Sequence, residues 1–156
     1  MKENMTFREM LGQRLFISVA GTEITDEMRR LIKEYRCGNI VLFQPNIVNI
    51  EQTRRLCADI QALVTEELGV PALIAIDQEG GGVTRLSEDF VNVPGAMALA
   101  AVGDAEEAYR ASVLTAGELR CRCPLPRCTA RDSFPPPVRR RVFLTSPPAG
   151  RPVPRC

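Results

Sequence analysis

Histidine is absent from all 156 residues of this chain. No imidazole is therefore available to move protons near neutral pH or to hold a metal. Long apolar runs are also missing. None approaches the ~20 apolar residues that a membrane helix needs, and Met1 to Gln13 is polar and charged, without the apolar stretch of a secretory leader. A cytoplasmic protein with no membrane partner is expected. The overall net charge of +1 conceals a third shortage. Residues 121–156 contain no lysine and one acid, Asp132, beside eight arginines, a net of +7. Residues 1–120 carry 12 basic against 18 acidic side chains, a net of −6. Nine of the 12 prolines and four of the six cysteines also fall after residue 120, so the chain divides there.

The first 120 residues alternate between strand and helix patterns. Leu15 to Ala20 is a short apolar run followed by Gly21, the pattern of a buried strand. Thr25 can cap a helix with Asp26 and Glu27 in its first turn, where carboxylates suit the dipole. Met28, Leu31, Ile32 and Tyr35 then make one apolar stripe, and Gly38 is placed to end the helix. Ile40 to Phe43 lacks polar alternation, as in a strand buried on both faces. Asn49 and Gln52 have capping-box spacing and open a helix with a stripe of Leu56, Ile60, Leu63 and Val64, ending near Gly69. Ala72 to Ile76 is a third strand, and Asp104 with Glu107 opens a helix running to about Leu119. Such alternation implies an α/β fold with parallel strands; it leaves an open sheet and a closed barrel equally available. Cys37 and Cys57 are isolated and read as buried thiols of a reducing compartment.

The loop after the third strand, Ile76-Asp77-Gln78-Glu79-Gly80-Gly81-Gly82-Val83-Thr84-Arg85-Leu86, carries the chemistry. Ligands of parallel α/β folds gather at the carboxyl ends of the strands, where Asp77 falls. Asp77 can accept hydrogen bonds from sugar hydroxyls and Arg85 can donate to hydroxyl or carbonyl oxygens. The glycines allow sharp turning and close approach to a ligand. A turn aspartate with a solvated glutamate and a paired arginine fits the same residues. A phosphate cradle fits less well: neither nucleotide-binding glycine pattern is present, and the acids would repel phosphate.

The segment Ile76 to Leu86 resembles the Asp-Gln-Glu-Gly-Gly-x-Val-x-Arg signature of family 3 glycoside hydrolases, especially the bacterial β-N-acetylhexosaminidases that trim N-acetylglucosamine from cell-wall fragments. Gly12 to Phe16, Gly38 to Phe43 with Asn46-Ile47, and Val93 to Leu99 resemble flanking segments of that family, so the likeness covers residues 6–120. It implies a partial (β/α)8 TIM barrel of three to four βα units, a small carbohydrate substrate and no cofactor or metal. It also implies that Asp77 and Arg85 contact the sugar, with Glu79, Gly80 and Gly81 supporting the loop. Gly82 stands where the family usually has an arginine. The family uses an aspartate nucleophile, and these hexosaminidases a histidine acid/base, from later loops. Retaining cleavage needs a nucleophile and a proton donor. With no histidine present and Asp132 the sole acid after Glu118, the chain is expected to be a truncated, inactive copy, with no catalytic residue assigned.

After Arg120, the Cys121 to Cys128 segment, Pro135 to Pro137, Arg139 to Arg141 and Pro147-Pro148 cannot support a helix, so 121–156 reads as an irregular or disordered tail. Its cysteines are spaced poorly for zinc, and its arginine run reads as solvated rather than as a nucleic-acid contact. A reading-frame shift near Arg120 in GC-rich DNA would produce such a tail. Two other functions remain open: a β-glucosidase of the same family, and a non-enzymatic carbohydrate-binding or interaction remnant. An incomplete barrel leaves strand edges uncovered, so self-association is expected.

Overall fold

The computed structural model describes residues 5–121; Cys121, expected to open the irregular tail, instead ends a helix, and the readings of the rest of the tail, of Cys123, Cys128 and Cys156 and of Arg139 to Arg141 lie outside the described residues. The chain opens with a helix that the periodicity did not foretell, α1 (Phe7–Gly12). Thr6 and Glu9 form a full capping box: the Glu9 amide donates to Thr6 Oγ1 at 3.3 Å, and the Thr6 amide to Glu9 Oε2 at 2.8 Å. Six residues are too few to display an apolar stripe. The helix is instead held from outside, where Glu9 pairs with Arg36 at 3.1 Å and Arg8 donates to the Glu34 carbonyl at 2.7 Å.

Three βα units follow. The strands are β1 (Phe16–Ser18), β2 (Asn39–Leu42) and β3 (Leu73–Ile76), parallel and adjacent in chain order. Ser18, Val41 and Ala75 share one row of the register, and Ile17, Ile40 and Ile74 the next. The strand at Leu15 to Ala20 is shorter and more open than expected, with Leu15 53% and Phe16 47% exposed. β1 stands at the edge of the sheet, with β2 its sole strand partner among the described residues, so only its inward residues are covered.

The helices α2 (Asp26–Tyr35) and α3 (Ile50–Leu68) connect the strands. Thr25 caps α2, accepting from the Met28 amide at 3.2 Å. Its buried stripe is narrower than expected: Met28 and Ile32 enter the core, while Tyr35 is 55% exposed. Arg36, not Gly38, takes the left-handed cap position (φ 57°). Gly38 serves packing instead, since a Cβ there would meet the Gln13 amide group at 2.9 Å. Asn49 caps α3 by accepting from the Gln52 amide at 2.8 Å, but the Gln52 side chain does not close a box. It accepts from the Val48 amide and donates to the carbonyls of Thr22 and Asn46, joining the loop before α2 to the start of α3. Gly69 ends α3 with φ 69°.

The core lies between the sheet and these helices: Met28 and Ile32 from α2, Leu56, Ile60, Leu63, Val64 and Leu68 from α3, and Ile40, Leu42, Ile74 and Ile76 from the strands. Cys37 and Cys57 are buried and free of disulfides. Burial raises the Cys37 thiol pKa, which keeps it neutral and unreactive. After the glycine loop come α4 (Ala96–Val102) and α5 (Ala105–Cys121). The first was expected only as a segment before the next helix. Its alanine-rich sequence favours helix, and Gly103 in the left-handed region closes it. Asp104 accepts from the Glu106 amide at 2.8 Å, and Glu107 turns to Arg110 at 2.7 Å, so the expected box is again only half made.

Candidate functional site

The parallel strands place three chain segments at one end of the sheet: the loop after β1, Phe43 after β2 and Asp77 after β3. Asp77 is the first residue beyond β3. The chain returns eight residues later at Arg85, whose Nη2 lies 4.0 Å from Asp77 Oδ2. Their side chains keep 39% and 27% of their surface open. At that separation the pair is loose, and each group retains capacity for a further partner. Arg85 Nε is buried with no hydrogen-bond partner. The guanidinium carbon stands 5.8 Å from the centroid of the Phe43 ring, within the range of a cation–π contact.

Gln78, 2% exposed, closes the loop. Its Nε2 donates to Thr84 Oγ1 at 2.8 Å and its Oε1 accepts from the Arg85 amide at 2.8 Å. Thr84 in turn donates to Asn92 Oδ1 at 2.6 Å, while Leu86 and Phe90 anchor the following segment in the core. One buried amide thus sets the spacing between the residues on either side of it that reach solvent, Asp77 and Arg85.

Two of the three glycines support the loop's own packing. Gly80 and Gly81 have φ of 81° and 60°, and both pack against the chain's own backbone. A Cβ on Gly80 would meet the Val93 carbonyl oxygen at 2.9 Å, and one on Gly81 the Gly95 nitrogen at 2.8 Å. The Gly81 amide donates to the Val93 carbonyl at 2.9 Å, fastening the loop to the start of α4. Gly82 has nothing within 4 Å of its Cβ position. Glu79 lines a void of about 20 Å³ between the loop and α4 and α5, with Pro94, Leu99, Ala111 and Thr115. Asp77 and Arg85 are therefore brought together, while Glu79, Gly80 and Gly81 face the supporting helices. A cavity of about 700 Å³ lies elsewhere, between the start of α2 and α3. It is lined by charges of both signs, Arg29 and Arg55 beside Asp59 and Glu66, without a concentrated polar focus.

The sequence by itself assigns no role to Phe43 or to Gln78, which lies inside the signature. Phe43 reads as an ordinary strand residue, and only the adjacency of β2 and β3 brings it to Arg85. No helix among the described residues is long and apolar enough to cross a membrane, and no three acids or cysteines among them gather as metal donors.

The model of the glycosyl hydrolase family 3 N terminal domain matches residues 6–122. The chain belongs to this family. Within family 3, a β-hexosaminidase of Pseudomonas aeruginosa is 38% identical over 93 residues, covering 60% of this chain and 26% of the relative. Another from Alkalilimnicola ehrlichii is 40% identical over 99 residues, covering 64% of this chain and 27% of the relative. The solved family 3 β-N-acetylglucosaminidase of Paenibacillus sp. superimposes with a TM-score of 0.73 and 42% identity, over 76% of this chain and 23% of that one. The chain thus spans about a quarter of the length of the relatives it matches. Its three βα units are the leading part of a family 3 (β/α)8 barrel, and the loop described above stands at the carboxyl ends of the barrel strands.

Proposed function

We propose that this chain is the sugar-holding front of a β-N-acetylhexosaminidase of family 3, with Asp77 and Arg85 binding an N-acetylglucosamine unit. The observation that carries the reading is the loose Asp77–Arg85 pair at the end of β3. A carboxylate acceptor and a guanidinium donor, 4.0 Å apart and partly open, can each engage a ring hydroxyl without first breaking a tight ion pair. The relatives support this substrate over a β-glucoside, because those named above are β-hexosaminidases or a β-N-acetylglucosaminidase.

In this reading the described residues hold the sugar, and none of them is assigned to bond cleavage. Retaining glycosidases protonate the leaving oxygen while a second group attacks. The chain contains no histidine, and the described end of the barrel offers Asp77 and Glu79, of which Glu79 faces the α4–α5 side. Residues 1–120 form the barrel-like unit and 121–156 a separate tail in this reading. Buried thiols outside any disulfide at Cys37 and Cys57 suit a reducing compartment, and with it a cytoplasmic location.

Calorimetric titration of the chain with N-acetylglucosamine is expected to show saturable binding, while a chromogenic N-acetylglucosaminide is left intact. Absence of binding removes the proposal; turnover of the chromogenic sugar removes its non-catalytic part. Self-association through the β1 edge, where Leu15 and Phe16 are open, belongs to the same reading. Sedimentation velocity is expected to give a mass above that of a monomer, and a monomer at all concentrations would dismiss it.

A further inference from the structure

We infer that Phe43 is a positioning residue, whose ring fixes the Arg85 guanidinium beside Asp77 and so sets the width of the binding site. Nothing else described on Arg85 does this. Gln78 holds the Arg85 backbone amide at 2.8 Å, which leaves the long side chain free to rotate. Asp77 lies 4.0 Å away, at the limit of an ion pair, and is too loosely engaged to choose a rotamer. Arg85 Nε has lost water to burial and gained no hydrogen-bond partner. Such a group stays in place only if another contact offsets that loss. The face of Phe43, 5.8 Å from the guanidinium carbon, is that contact. A planar, weakly hydrated guanidinium stacks on an aromatic face as an ammonium does not.

Phe43 is in turn anchored from behind. Its amide donates to Asn46 Oδ1 at 2.8 Å, and Asn46 Nδ2 donates to the carbonyls of Val19 at 2.8 Å and Gly21 at 2.7 Å. Asn46 is buried, so this link is shielded from water. The ends of β1, β2 and β3 are joined in sequence: the Val19–Gly21 loop through Asn46 to Phe43, then Arg85, then Asp77. The position of the sugar-facing guanidinium is thereby referred to the sheet and not to the glycine loop alone.

The consequence for sugar affinity rests on the function proposed above; the placement of Arg85 does not, and the two are read separately. In the full chain, the Arg85 Nε–H nuclear magnetic resonance signal is expected to be displaced by the Phe43 ring current and to exchange slowly with water. Phe43→Leu is expected to abolish the displacement, speed the exchange and weaken N-acetylglucosamine binding about threefold, the size of a partly exposed cation–π contact. Phe43→Tyr is expected to preserve all three. An Arg85 signal unchanged by Phe43→Leu overturns the inference. If the unsubstituted chain does not bind the sugar, the proposed function fails while the Arg85 signal still decides the role of Phe43. Should Phe43→Leu fail to fold, magnetisation transfer between the Phe43 ring protons and Arg85 Hε in the unsubstituted chain decides it, and its absence overturns the inference.

Discussion

Gly12→Ala is expected to destabilise the chain by about 3 kcal/mol, at the upper end of what overpacking costs. An added Cβ would lie 2.4 Å from the carbonyl oxygens of both Tyr35 and Arg36. These are backbone atoms, held where α2 turns into β2. Arg36 is already in the left-handed region, and its carbonyl accepts from Gln13 Nε2 at 2.9 Å. Relief therefore requires α1 to move off that turn, which breaks the Glu9–Arg36 and Arg8–Glu34 contacts. A domain stable by about 5–15 kcal/mol can lose a large share of its margin in this way. Gly82→Arg is the counterpart. Gly82 has open space around its Cβ position, so the side chain usual in the family enters without a clash and stability stays within about 0.5 kcal/mol. Urea unfolding of both variants tests the pair. An unchanged midpoint for Gly12→Ala would show that α1 is not docked as described.

Asp77→Ala is expected to reduce N-acetylglucosamine affinity by roughly 10- to 100-fold, the range for losing a hydrogen bond to a charged group. Its melting temperature should stay close to that of the parent chain. The reason lies in the geometry: the Asp77 carboxylate is 39% exposed and its Arg85 contact is 4.0 Å long, so removing it forfeits little of the fold. Gln78→Ala supplies the opposite signature, since it strips the buried amide that ties Thr84 and the Arg85 amide. If Asp77→Ala titrates like the parent chain, Asp77 is not a sugar ligand and the turn-aspartate reading prevails.

Much of this molecule is legible in the residues because the signals are local. Thr25 and Asn49 cap their helices as expected, since a cap needs only an oxygen near the first free amides. Both predicted capping boxes at Gln52 and Glu107 are half-made, because those side chains found partners beyond the turn: Thr22 and Asn46 for Gln52, Arg110 for Glu107. α2 ends at Arg36 and not at Gly38, because glycine's use for packing against Gln13 has the same sequence appearance as its use in a cap.

Apolar strands alternating with striped helices determined by themselves that the fold is parallel α/β, and the run from Asp77 to Arg85 marked the loop proposed to hold the sugar. These conclusions depend on short unbroken apolar runs, on the 3.6-residue helical period and on the chemistry of side chains within one loop. Only the tertiary structure decided that Gly80 and Gly81 serve the chain's own backbone, that Gln78 sets the span from Asp77 to Arg85, and that Phe43 stands over Arg85. Phe43 and Arg85 are 42 positions apart and meet because β2 and β3 pair in parallel register. Contacts made across a sheet depend on which strands lie side by side, and no local pattern of residues carries that information.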